Sequence, residues 1–99
     1  MTLFHWDVAK ATANLRKHRV SFDTAQLVFD DTYALVEQDR IEGGETRWQT
    51  IGLVAGTAIL LVAHTIQEGD IEIIRIISAR RATRQERMRY EQNREAHSG

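Results

Sequence analysis

The chain has 99 residues, with 13 Lys and Arg against 14 Asp and Glu, a net charge of −1, and 42% hydrophobic residues. That suffices for one domain with a two-layer core and leaves no length for a second. The absence of cysteine excludes disulfides and thiolate metal sites, and the balanced charge argues against a generic polyanion binder.

Leu3-Phe4-His5-Trp6 reads as a short apolar strand, and Asp7 follows it as a helix N-cap. Val8, Ala11 and Leu15 predict one buried face for a helix to about His18, with Lys10, Asn14 and Lys17 pointing away. Ser21 caps a second short helix that buries Phe22, Ala25 and Phe29 and ends at Asp30-Asp31, where acids oppose the negative end of the helix dipole. Tyr33 to Glu37 is a strand, and Asp39 to Gly44 is read as a polar loop.

Thr46 to Val54 alternates as a strand, with Arg47, Gln49, Ile51 and Leu53 on one face and Trp48, Thr50 and Gly52 on the other. Ala58 to His64 is apolar on both faces and is therefore central in the sheet. A short turn leads to a strand from Ile71 to Ser78, and short connections imply antiparallel neighbours. Thr83 and Glu86 form the T-x-x-E capping box of a last helix running past Tyr90, and residues 95–99 form a tail expected to fray. The predicted class is α+β: a short N-terminal strand and two helices, a four-strand antiparallel meander, and a C-terminal helix, with helices on one face of the sheet. The chain start lacks the basic and apolar regions of a signal peptide, and no apolar stretch reaches the roughly 20 residues of a membrane span, so a cytoplasmic location is expected.

Charge is divided along the chain. Between Ser21 and Glu45 seven acids face Arg40 alone, whereas between Arg75 and Arg89 six arginines face Glu86 alone. Lysine occurs only at positions 10 and 17, and the preference for arginine suits a planar fork that grips phosphate or carboxylate at two points. Walker, dinucleotide-binding, H-E-x-x-H and G-x-S-x-G motifs are absent, so neither a cofactor nor a metal is expected.

Arg75 lies among isoleucines and needs a partner, either an ion pair with a loop acid such as Glu45 or a bound phosphate on an open sheet face. His64 shares strand parity with Leu60 and Val62; by default it is a core residue, yet histidine also suits proton transfer near neutral pH. Beside Arg47 and Arg75 it would complete a phosphodiester-cleaving set. Trp48 packs on its own face or stacks on a base. Arg80 and Arg81 sit at a strand-to-helix junction suited to anions, and Arg84, Arg87 and Arg89 form a helix face that is either solvated or an RNA and partner surface.

Phe4-His5-Trp6-Asp7, Lys10, Asn14 to His18, Val20-Ser21-Phe22 and Val28 to Asp31 resemble the BrnT family of toxins, as do Glu45-Thr46-Arg47, Ile51-Gly52, Val62 to Thr65, Arg75 to Thr83, Glu86-Arg87 and Tyr90. The resemblance spans residues 3 to about 91. Arg19 departs from it, standing where a small residue, usually glycine, is expected after Lys17-His18. The resemblance implies a RelE-like domain over residues 1–94 and a metal-independent endoribonuclease of a type II toxin–antitoxin system that inhibits translation. It also implies a BrnA-like ribbon-helix-helix antitoxin, through which alone operator DNA would be bound. Carried over by position, the implied catalytic set is Glu45, Arg47, His64, Arg75, Arg80 and Arg81; Trp48, Arg84 and Arg87 are expected as RNA contacts on their own chemistry. The alternative is a non-catalytic binding module or corepressor acting through the antitoxin complex.

Overall fold

A computed structural model describes residues 1–98. The elements are β1 (Thr2–His5), α1 (Val8–His18), α2 (Phe22–Ala25), a 3₁₀ turn (Gln26–Asp30), β2 (Leu35–Glu42), β3 (Glu45–Val54), β4 (Ala58–Gln67), β5 (Glu72–Arg81) and α3 (Arg84–Ser98). The strands form one sheet in the order β1-β5-β4-β3-β2. β2 to β5 pair antiparallel in sequence order, whereas β1 lies parallel to β5, a pairing that nothing local in the sequence announces.

Local side-chain chemistry sets the helix starts. Asp7 accepts from the Lys10 amide at 3.0 Å and Ser21 from the Thr24 amide at 3.1 Å. At α3 the Thr83 amide donates to Glu86 at 2.8 Å and the Glu86 amide to Thr83 at 3.2 Å, a reciprocal capping box. α3 continues through Ser98 beyond the point where fraying was expected, and Gly99 lies outside the described residues.

Several boundaries differ from the sequence reading. The expected loop from Asp39 is strand up to Glu42, because Gly43 and Gly44 turn the chain by themselves at φ 60° and 78°, the left-handed pair of a tight hairpin. The second helix tightens after Ala25 into the 3₁₀ turn, whose Val28 presses on β3. A Cβ on Gly52 would stand 2.9 Å from the Val28 Cβ, so glycine permits this approach. β5 runs on to Arg81, so Arg80 and Arg81 belong to the strand end and not to a junction loop.

The face of α1 is also corrected. Val8 and Leu15 are exposed and Asn14 is buried. Its amide donates to the Val20 and Ala79 carbonyls, both at 2.9 Å, and its oxygen accepts from the Ala79 amide at 3.0 Å. Three backbone partners satisfy the side chain, and this polar staple fixes α1 on β5.

Helices cover both faces of the sheet, not one. α1, α2 and the 3₁₀ turn bury Val54, Leu60, Val62, Ile76 and Ala79 with Phe22 and Val28. On the opposite face α3 covers Ile51 and Leu61 with Tyr90. Asp31 ties this second layer down, accepting from the Leu53 amide at 2.8 Å and the Tyr90 hydroxyl at 2.5 Å. α3 reaches only part of its face, and the sheet surface toward β1 and the start of β3 stays open.

Arg19 closes α1 in the left-handed region at φ 61°, ψ 27°, its amide donating to the Leu15 carbonyl at 2.9 Å. That conformation costs a residue with a Cβ roughly 1 kcal/mol relative to glycine. Arg19→Gly is expected to raise stability by about that amount, read as a melting point higher by roughly 4–8 °C; an unchanged or lower value would contradict the cap geometry.

Candidate functional site

Strand register builds the open surface. His5 pairs with Arg75, Arg75 with Thr65, and Arg40 with Arg47. Trp48 pairs with His64, which makes Arg47 and Thr65 the next facing positions of β3 and β4. Facing residues point to the same side, so Arg40, Arg47, Thr65, Arg75 and His5 form a row across all five strands. Beside it lies a groove of about 480 Å³ whose walls include Leu3, His5, Glu45, Thr65, Ile73 and Arg75.

The charged groups of this row are incompletely matched. Arg75 donates to Glu45 at 2.6 Å, with both side chains well exposed at 39% and 45%. The expected ion pair therefore exists, and at that exposure it is weak enough for an anion to displace. Arg47 is more enclosed: its nearest acid, Glu42, is 3.8 Å away and is also held by Arg40 at 3.3 Å. The buried Arg47 Nε has no hydrogen-bond partner among the described residues. With a fifth of its side chain exposed and only a long contact to an acid shared with Arg40, Arg47 can offer its outer nitrogens to a phosphate oxygen.

His64 does not join this row. It stands on the helix-covered face, 1% exposed, with its ring 4.9 Å from Phe29. Its Nδ1–H donates to the Thr65 carbonyl at 3.4 Å and its Nε2 accepts from the Thr50 hydroxyl at 2.7 Å. Burial pushes its pKa down to about 4, so the ring is neutral at physiological pH. Trp48, its partner in register, shares that face.

The remaining arginines are largely engaged. Arg80 pairs with Leu61 in register, four β4 residues from Thr65 and so roughly 13 Å along the sheet from Arg75. Glu86 holds it through two bonds of 2.7 and 3.0 Å. Arg81 is exposed and turns to the other face, beside Leu15 and Arg19. Arg89 is bound to Glu37 at 3.1 Å, while Arg84 and Arg87 are exposed along the outer side of α3. His5 is the residue that sequence reasoning missed. Its alternation with inward-facing Phe4 and Trp6 marks the face it occupies, but its neighbour Arg75 becomes visible only through the β1–β5 pairing.

The Arg80 bonds and the Thr83 amide outweigh burial to lower the Glu86 pKa from 4.5 to about 2. A lowered carboxylate pKa stabilises the fold fully above the unfolded value and loses that contribution as pH falls through the folded one. Denaturant midpoints should therefore fall as pH drops from about 4.5 toward 2, and Glu86→Gln should flatten that part of the profile. An identical slope in both proteins would contradict this assignment.

Among the described residues no cluster of three or more His, Asp or Glu could hold a metal, and no helix is long and apolar enough to cross a membrane. No curated protein matches the chain. The chain is similar to the Brucella abortus ribonuclease toxin BrnT, known from a crystal structure, at 24% identity and a TM-score of 0.64, over 85% of this chain and 99% of that one. At that identity the likeness establishes the shared α+β fold. The family model described as the ribonuclease toxin BrnT of type II toxin–antitoxin systems matches residues 6–86, from the end of β1 through the capping box of α3. With most of its length matched, the chain belongs to the BrnT family of ribonuclease toxins of type II toxin–antitoxin systems.

Proposed function

We propose that this protein, through a RelE-like toxin domain spanning residues 1–94, is a metal-independent endoribonuclease that acts in the cytoplasm and inhibits translation. A BrnA-like ribbon-helix-helix antitoxin neutralises it, and operator DNA is reached only through that antitoxin. The observation carrying the reading is the Arg47–Arg75 row on an uncovered half-sheet, with one guanidinium only loosely paired to a shared acid and the other held by a displaceable carboxylate.

In this mechanism Arg47 and Arg75 grip the non-bridging oxygens of the scissile phosphate, and its charge releases Glu45 from Arg75. Glu45 takes the proton of the adjacent 2′-hydroxyl as that oxygen attacks phosphorus. The phosphorus–O5′ bond breaks, leaving a 2′,3′-cyclic phosphate and a 5′-hydroxyl end. Arg80 contacts a flanking phosphate in exchange for part of its bond to Glu86, and Arg84 and Arg87 contact RNA beyond it, while Arg81 and Trp48, on the other face of the sheet, take no part. His64 supports β4 from inside as a neutral ring.

The test is cleavage of purified RNA by the antitoxin-free protein in excess EDTA. RNA ending in cyclic phosphate supports the reading, together with growth arrest and loss of protein synthesis on induction in cells. Intact RNA over a wide pH range would favour the alternative, a non-catalytic module or corepressor acting through the antitoxin complex.

A further inference from the structure

Cleavage by 2′-hydroxyl attack moves two protons, one from the attacking oxygen and one to the departing O5′. Glu45 accounts for the first. The second needs a donor on the opposite side of the phosphate, because attacking and leaving oxygens lie roughly in line through phosphorus. His64 cannot supply it, being sealed on the other face of the sheet.

The geometry points to His5 as that donor. β1 packs parallel against β5 with His5 directly beside Arg75, about 5 Å between backbones. Phe4 and Trp6 pack toward the α1 and α2 layer, so the alternation of β1 turns His5 to the open face. His5 is exposed and lines the same groove as Glu45, Thr65 and Arg75. It also borders a second hollow of about 390 Å³ with Asp7, Lys10 and Arg75. Glu45 reaches Arg75 from the β3 side across β4, while His5 flanks Arg75 from the sheet edge. A phosphate seated on Arg75 therefore has a carboxylate on one side and an imidazole on the other. The protonated His5 ring gives its proton to O5′ as the phosphorus–O5′ bond breaks, and the neutral ring left behind is reprotonated from solvent.

This inference rests on the ribonuclease reading above, and the leaving group separates the two. An RNA oligonucleotide carrying sulfur in place of O5′ at the mapped cleavage site needs no proton on departure, since a thiolate leaves unaided. His5→Ala and His5→Gln are expected to cut the normal oligonucleotide about 10²–10³-fold more slowly and the sulfur-bridged one within about fivefold of the parent protein. Equal losses on both substrates, or no loss on the normal one, would overturn the assignment of His5. If the parent protein itself cleaves neither oligonucleotide, the ribonuclease reading fails with it. His5 lies exposed on an edge strand, so both variants should keep the parent melting temperature, and a rate loss then reports on chemistry.

Discussion

Replacing Arg75 with alanine is expected to lower RNA cleavage by about 10²–10³-fold, the usual loss when a fixed donor to developing charge is removed, while stability stays within about 0.5 kcal/mol. The small stability effect follows from the exposed pair with Glu45, since half-solvated ion pairs contribute about 0–1 kcal/mol. The large kinetic effect follows from position, since Arg75 stands between Glu45 and His5. Arg89→Ala is the matched control. It removes the same charge at similar exposure, but from the Glu37 pair on α3, and should leave cleavage within about threefold of the parent. Equal losses in both variants would mean that net charge, not the groove, drives activity. Lysine at position 75 should recover part of the rate, because it keeps the charge and loses the two-point grip.

Asn14→Ala carries the largest expected stability cost, about 3–5 kcal/mol. The substitution strands the Ala79 amide and the Ala79 and Val20 carbonyls inside the protein, and each unmet buried group costs about 1–3 kcal/mol, less whatever an intruding water recovers. Against the roughly 5–15 kcal/mol that holds a domain folded, this is a large share. Urea titration gives the value directly. Asn14→Asp should cost at least as much, since a carboxylate offers no donor to the two carbonyls. Thr12→Ala, on the exposed side of the same helix, should stay within about 0.5 kcal/mol. A small change at Asn14 would show that the staple does not hold α1 in place.

What could be read from the sequence depended on how far each cause reaches along the chain. The caps at Asp7, Ser21 and Thr83 were legible because a side chain and its backbone partner lie three residues apart. The strand parity that groups Arg47 with Gln49 and Ile51, and His64 with Leu60 and Val62, was legible too, and it already sends His64 toward the core. Facts made by distant pairing were not. Asn14 reads as a solvated helix residue until Ala79 is brought beside it. Arg75 and Glu45 could be guessed as partners from chemistry, but His5 required the parallel β1–β5 pair, for which no turn or spacing rule gives a hint. The second layer was missed because the apolar face of α3 is narrow, carried by Tyr90, the helix's one buried residue.

The register shift in β5 decides which arginines can ever act together. β4 runs from Ala63 to His64 while β5 steps from Ser78 to Ile76, so Ile77 is an extra residue with no opposite number. Arg75 and Arg80 are an odd number of residues apart, and in an unbroken strand they would point to opposite sides. The inserted residue restores even parity, sets both on the face that carries the groove, and keeps Ala79 in the core. Deleting Ile77 would leave Ile76 opposite His64 and Ser78 opposite Ala63, with Arg75 and Arg80 an even number of residues apart, so a regular strand would keep both guanidinium groups on the groove face and Ala79 in the core. The bulge that takes Ile77 out of the alternation is thus what lets a strand with an odd spacing present both arginines to the groove.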